Sequence, residues 1–370
     1  MPKTTETVLE INLKSLEHNY NYLRSKINAS TKLLSVVKAF AYGSDAVKVA
    51  EKLEKLGVDY FAVAYAAEGV SLRKAGIKTP ILVLHPQVAN FDALIKHNLE
   101  PSIYSKRILD TFIEIAEKQD QKEYPVHLKF NTGLNRLGFN ESDIDYIVEQ
   151  VQADKPLKIT SILSHLAASE DLNEKDFTLN QIDAFKKITS EIDKKLGYKP
   201  FKHLLNTSGI INYATEAQFD MVRTGIGMYG YGNDAIVDNE LKPIATLKTI
   251  ISQIHTIEPN QSVGYNRAYV ATKKTVTATL PIGHADGIDR IYGNGKSYVL
   301  VNDKKVPIIG NVCMDMMMIN ITGIKCYEGD EVIVFGQDNS AEELAISAKT
   351  ISYELLTGIS QRVKRVFTNG

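Results

Sequence analysis

At 370 residues, 44% hydrophobic and 24% charged, the chain is long enough for a sizeable core and two domains, and its composition excludes a disordered chain. Its 43 lysines and arginines against 44 aspartates and glutamates leave a formal charge of -1, with no dense basic run interleaved with aromatics, which excludes nucleic acid and anionic membrane as expected partners. Two cysteines, Cys313 and Cys326, are too few for a disulfide framework and lack the paired spacing of a zinc site, so a reducing compartment and no metal are expected.

The opening residues MPKTTETVLEINLKS lack the apolar core of a signal peptide, and no later run approaches the roughly 18 apolar residues of a membrane span, so a cytoplasmic protein is expected. In SVVKAFAYGSDAVKVA, residues Ser35, Val36 and Val37 extend Leu33 and Leu34 into a run typical of a strand buried on both faces. From Asp45 the spacing turns helical, with Ala46, Val49, Ala50 and Leu53 on one face. Lys38 therefore falls where a strand ends, a position at which a parallel α/β fold binds ligands, and it reads either as a reacting group or as a solvated rim residue.

The same unit, an apolar strand followed by an amphipathic helix, recurs to about Gly230. Its strands are LLSVVKA, YFAVAY, ILVLH, LEPSIY, VHLKF, ITSILSHL, KHLLN and FDMVRTG, with helical patterns such as AAEGVSLRKAG and SKRILDTFIEIAEKQ between them. Eight such units in roughly 200 residues predict a (β/α)8 barrel of the TIM type, with an open doubly wound sheet as the alternative. After Tyr231 the rhythm becomes TLKTIISQIHTI, TVTATLPIG, SYVLVNDKKVPIIG, MMMINIT and DEVIVFG, broken by turn residues. The expected fold is thus α/β, a barrel over 1–235 followed by a C-terminal mostly-β domain over 236–370. VNDKKV reads as a hairpin, and LTGISQRVKRVF as a short final helix running into a last strand.

Polar residues recur where the barrel strands end: Lys38, Lys129 with Arg136 beyond it, His165, Asn206 to Ser208, and Arg223. Thr207, Ser208 and the loop around Gly225 and Ile226 offer the hydroxyls and close backbone N–H groups that hold a phosphate. A strand-end lysine, a phosphate-sized nest and an arginine together suggest pyridoxal phosphate, whose aldehyde condenses with a lysine amine.

The motifs VVKAFAYG, KFNTGLNRLGF, HLLNTSG, RTGIGMYG, VGYNRAY, LPIGHADGIDR, GNVCMDMMMINI and YELLTGISQRV follow in the order and spacing of the alanine racemase family, which the chain resembles over nearly its whole length. The resemblance implies that Lys38 carries pyridoxal 5'-phosphate covalently and, once substrate displaces it, serves as the base on one side of the substrate's Cα. Tyr42, Thr207, Ser208, the Gly225 and Ile226 backbone and Tyr353 resemble the family's phosphate contacts. Arg223 resembles the arginine facing the pyridine nitrogen, where a permanent charge keeps that nitrogen unprotonated and favours prompt return of the proton to Cα. His165 resembles the histidine that supports it.

Tyr265 matches the second base, since inverting a stereocentre requires a proton group on each face. A phenol with a free pKa near ~10 needs a nearby cation, and Arg136 is the candidate. The resemblance also gives Arg136 a contact with the substrate carboxylate and a carbamylated lysine, Lys129, to hold it; the Met314 backbone meets the same carboxylate. Cys313 reads as a small buried hydrophobe rather than a thiol catalyst. In the family the tyrosine and the methionine act on the other subunit, which implies a head-to-tail homodimer.

The implied activity is interconversion of L- and D-alanine, feeding peptidoglycan synthesis. The alternatives are a broad-specificity or basic amino acid racemase, an amino acid decarboxylase of the same architecture, and a non-catalytic pyridoxal phosphate-binding protein. Phe40 stands where the family usually has asparagine, Ser44 and Asp45 where it has histidine and glycine, His284 where a tyrosine is common, and Gly264 where serine is common. Cofactor tightness and substrate range are open on these residues.

Overall fold

The computed structural model describes residues 4–152, 156–232, 239–337 and 339–369. The chain forms two compact units, one of Glu17–Ala41 and Ala46–Leu241, the other of Met1–Leu16, Tyr42–Asp45 and Lys242–Gly370. The expected boundary between 235 and 236 lies outside the described residues.

Strand β1 (Val8–Asn12) belongs to the second unit. The first unit closes eight parallel strands into a barrel: β2 (Lys32–Val36), β3 (Tyr60–Val63), β4 (Ile81–Val83), β5 (Glu100–Ile103), β6 (Tyr124–Lys129), β7 (Leu157–Leu163), β8 (Phe201–His203) and β9 (Met221–Thr224). Each falls inside one of the eight apolar runs or overlaps it, and β2 pairs with β9 to close the ring, so the open doubly wound alternative is excluded. The helix Ala46–Leu56 buries Val49, Ala50 and Leu53, the face its spacing predicts. The helix Lys106–Lys118 starts at Ser105, whose hydroxyl accepts from the Ile108 N–H.

The second unit is built on a nine-stranded sheet. Its strands are β1, β10 (Ala245–Ile250), β11 (Gln253–Ile257), β14 (Thr275–Leu280), β15 (Tyr298–Val301), β16 (Lys304–Ile309), β17 (Met317–Asn320), β18 (Glu331–Phe335) and β19 (Lys364–Thr368), in the order β11-β14-β17-β16-β15-β18-β10-β1-β19. A separate two-stranded ribbon joins β12 (Ser262–Val263) to β13 (Tyr269–Val270). The β-rich run after Tyr231 predicted most of this sheet; β1, which pairs with β10 and with β19, comes from the segment expected in the barrel domain. Asn302 and Asp303 adopt φ of 47° and 61° between β15 and β16, the positive pair that a two-residue hairpin turn needs. No helix among the described residues is long and apolar enough to cross a membrane.

Candidate functional site

Lys38 lies just past β2 and opens a turn that its sequence gives no reason to expect. Ala39, Phe40 and Ala41 have φ of 52°, 57° and 52°, and Tyr42 and Gly43 continue at 52° and 81°. Left-handed backbone costs a residue with a Cβ roughly 1–2 kcal/mol, so the run must be held from outside. Two clamps do so, one in each unit. Glu68, in the helix Ala66–Lys74, accepts from the Ala39 N–H at 2.7 Å with one oxygen and from the Ala64 and Tyr65 N–H groups at 2.7 and 3.0 Å with the other. Arg365 donates to the Gly43 carbonyl through Nε and Nη2 at 3.1 and 2.8 Å. Burial lowers the proton affinity of Arg365, and Asp45, one of the residues departing from the family pattern, acts the other way. Gly43 cannot be replaced: a Cβ would lie 2.1 Å from the Leu356 carbonyl oxygen.

Lys129 ends β6, and Arg136 stands exposed on the loop that follows. Backbone bonds between Lys129 and Phe139 and between Asn131 and Phe139 close the loop's base. Asn131 Oδ1 accepts from the Gly133 and Asn135 N–H groups at 3.2 and 3.0 Å, which shapes its interior. Gly138, at φ 137°, passes so close that a Cβ would lie 2.5 Å from the Asn131 nitrogen.

Arg223, in β9, is buried with five neutral partners. Its Nη1 donates to His203 Nδ1 at 2.8 Å and the His203 carbonyl at 3.0 Å; its Nη2 donates to the Ser164 and Leu204 carbonyls at 2.6 and 2.9 Å and to His165 Nδ1 at 3.2 Å. Burial lowers its proton affinity to a pKa of about 10, which still leaves it charged at neutral pH. Lys129 is pushed down to about 8 by burial and by the charges of Arg136, Arg223 and Lys38. Lys38 is lowered by burial and by Arg136, with Glu68 acting the other way. His165 is held well below the ordinary histidine value by burial and by the same cations, so it is neutral. Lys38, Lys129, Arg136 and Arg223 therefore all act electrostatically on His165.

The helix Thr207–Ala217 is capped by Asn206, whose Oδ1 accepts from the Gly209 N–H and the Ser169 hydroxyl, both at 2.8 Å. Thr207 and Ser208 form its first turn. Thr207 Oγ1 accepts from the Gly225 and Gly227 N–H groups at 3.2 and 3.3 Å, and a Cβ on Gly227 would lie 2.7 Å from Thr207 Cγ2. Ile226 begins the tight turn Ile226–Tyr229. Helix start and glycine turn thus meet, the arrangement that suits an anion.

In the second unit, Tyr42 and Tyr353 face each other with ring centroids 5.9 Å apart, and burial and Tyr353 raise the Tyr42 phenol. Tyr265 lies on the turn Tyr265–Arg267 inside the β12–β13 ribbon and is 71% exposed; Met314 is 60% exposed. Asn311 Nδ2 donates to the Tyr265 carbonyl at 3.2 Å. Gly264, at φ 74° and ψ −176°, occupies backbone space that strains any residue with a Cβ.

The Met314 loop is fastened to the His284 loop. The His284 and Ala285 N–H groups donate to the Cys313 and Met314 carbonyls at 2.9 and 3.0 Å, and Arg362 bridges Asp286 and Asp315 at 2.7 Å each. His284 itself is exposed. Cys313, expected as a buried small hydrophobe, is half-buried, because its loop borders an open groove; its thiol donates to the Asn311 carbonyl at 3.6 Å.

Sequence reasoning missed Glu68, Arg365, Asn311 and Arg362. Glu68 carried a local signal, a glutamate in the first turn of a helix, but its reach to Ala39 is tertiary.

The sequence models for "Alanine racemase, N-terminal domain" and "Alanine racemase, C-terminal domain" match residues 11–233 and 244–367. An alanine racemase from Halothermothrix orenii is 36% identical, the match covering 99% of this chain and 98% of that protein. The solved alanine racemase from Clostridium difficile superposes with a TM-score of 0.92 at 34% identity, covering 99% of this chain and 96% of that one. That from Bartonella henselae, described with covalently bound pyridoxal phosphate, has a TM-score of 0.89 at 27% identity, covering 99% of this chain and all (100%) of that one.

Proposed function

The chain belongs to the alanine racemase family, and on that premise we propose how its own side chains interconvert L- and D-alanine with pyridoxal 5'-phosphate. The observation that carries the assignment is that Lys38, Lys129, Arg136 and Arg223 all bear electrostatically on His165, while Glu68 favours the charged form of Lys38. Such a site attracts an anionic cofactor and an amino acid carboxylate.

The residues suit that cofactor. The Lys38 amine has a lowered proton affinity, which favours the neutral form that condenses with an aldehyde. Thr207, Ser208, Gly225 and Ile226 suit the phosphate through a helix start and a close backbone turn, and Tyr42 and Tyr353 are assigned its hydroxyl contacts. When bound, the cofactor supplies an electron-poor ring that acidifies the substrate's Cα–H. Arg223 is assigned to the pyridine nitrogen, which its fixed charge keeps unprotonated, and His165 holds the guanidinium edge. Arg136 and the Met314 backbone are assigned the substrate carboxylate.

Lys38 then serves one face of Cα and Tyr265 the other. The exposure of Tyr265 at 71%, with Met314 at 60% and Met316 at 51%, supports a role completed by a second copy of the chain. In a head-to-tail homodimer, Tyr265 and Met314 complete the partner's site. The D-alanine formed is assigned to peptidoglycan synthesis, in the cytoplasm.

Incubating the purified protein with L-alanine is expected to abolish optical activity, faster when pyridoxal phosphate is added. Serine or lysine racemised faster than alanine would contradict the substrate, and evolved carbon dioxide would favour a decarboxylase.

Lys129 is assigned a carbamate that braces Arg136. Only the neutral amine reacts with carbon dioxide, and a pKa of about 8 places that form within reach of neutral pH. With 13C-bicarbonate, a carbamate resonance is expected to grow as pH rises through about 8 and to be absent in Lys129→Ala; a signal unchanged by that substitution contradicts the assignment.

A further inference from the structure

A (β/α)8 barrel is ordinarily filled by branched aliphatic side chains. Here five successive neighbouring strands, β5 to β9, each contribute one residue to a single hydrogen-bonded file: Glu100, His127, Ser161, His203 and Arg223. Arg223 meets His203 Nδ1 at 2.8 Å, His203 Nε2 meets Ser161 Oγ at 2.8 Å, Ser161 Oγ meets His127 Nδ1 at 2.6 Å, and His127 Nε2 meets Glu100 Oε2 at 2.7 Å. His127, Ser161 and His203 are inaccessible to solvent. Glu100 is the first residue of β5, so the file runs from near the carboxyl ends of the strands to the amino end.

With one ring proton on each histidine, the two ends fix the direction of every bond. A guanidinium only donates, so His203 Nδ1 accepts and its proton sits on Nε2. That N–H donates to Ser161 Oγ, whose own proton is left for His127 Nδ1. His127 then carries its proton on Nε2 and donates it to Glu100, and a carboxylate only accepts. One arrangement of protons satisfies the whole file, with its negative end at Glu100.

Among the described residues, no hydrogen-bond partner of Arg223 is itself a carboxylate. We propose that Glu100 is a positioning residue for Arg223: through His127, Ser161 and His203 it sets both histidine tautomers and supplies the remote counter-charge of the guanidinium. The proposal rests on the assignment of Arg223 to the pyridine nitrogen. The other groups bearing on the two ends are accounted for. Around Arg223 these are His165 and the cations Lys38, Lys129 and Arg136; around Glu100 they are the Tyr60 hydroxyl at 3.4 Å, Arg73 and Tyr124. A satisfied file transmits polarisation from end to end, whereas a broken one leaves buried donors and acceptors unpaired and the tautomers free.

The test follows the absorbance of the Lys38-bound cofactor against pH in the holoenzyme, beside kcat and KM for alanine. Loss of the Glu100 charge disfavours protonation at the cofactor, so Glu100→Gln is expected to lower the midpoint by about half a pH unit. Ser161→Ala is expected to lower it similarly, the double variant to lower it no further, and Ser161→Thr, which keeps the hydroxyl, to restore it. In the first three variants kcat falls while KM for alanine stays within about twofold. Titrations of Glu100→Gln and Ser161→Ala that superimpose on the parent, or shifts that add in the double variant, overturn the proposal. Arg223→Gln separates the two levels: if it too leaves the midpoint unmoved, the assignment of Arg223 falls, and the role of Glu100 with it.

Discussion

Tyr265→Phe is expected to slow the racemisation of alanine by about 10²- to 10⁴-fold, the range for removal of a general acid or base, with the cofactor still bound through Lys38. The phenol lies on an exposed turn, so the change leaves the fold intact. L- and D-alanine have equal free energy, which forces kcat/KM to fall by the same factor in both directions. The face assignment is therefore read in hydrogen exchange. In D2O, Tyr265→Phe is expected to lose exchange of the Cα hydrogen of L-alanine and to keep that of D-alanine, which Lys38 serves. Exchange lost equally from both enantiomers contradicts the assignment.

Lys38→Ala is expected to cost more, about 10⁴-fold or beyond, because on the proposed assignment one amine both anchors the cofactor and serves as a base. Borohydride is expected to fix the cofactor covalently to the parent protein at Lys38 and to leave it removable from the variant. Cofactor fixed to Lys129 instead would show that the wrong strand-end lysine had been chosen. The lowered proton affinity of both amines makes this a real competition, and Lys129 is the one pushed down to about 8.

The barrel was legible because each of its strands is a short apolar run followed by a helical pattern, and β2 to β9 fall where those runs lie. β1 was not, since VLEIN has the alternation of any half-buried strand and its partners, β10 and β19, lie more than 200 residues away. The left-handed turn after Lys38 was not legible either. Alanine, phenylalanine and tyrosine have no preference for positive φ, and the conformation is imposed by Glu68 and Arg365.

The candidate site was legible wherever chemistry required a rare group at a strand end, as with Lys38, Lys129 and Arg223. Residues that act through others carried no such mark. His127 and Ser161 look like ordinary members of apolar strands, and Glu100 like a strand's solvated first residue. Only the pairing of five adjacent strands brings them into one file. Asp45 shows the same limit: it stood out as a departure from the family pattern, and that its charge bears on Arg365 of the C-terminal segment is announced by no local pattern.

The central claim is that one active site combines Lys38 of one subunit with Tyr265 of another. Mixing the inactive Lys38→Ala and Tyr265→Phe proteins under conditions that exchange subunits tests it most directly. Random reassortment makes half the dimers hybrid, each with one site carrying both substitutions and one carrying neither, so about a quarter of the parental activity is expected to return. A mixture that exchanges subunits and stays as inactive as its components would contradict the account.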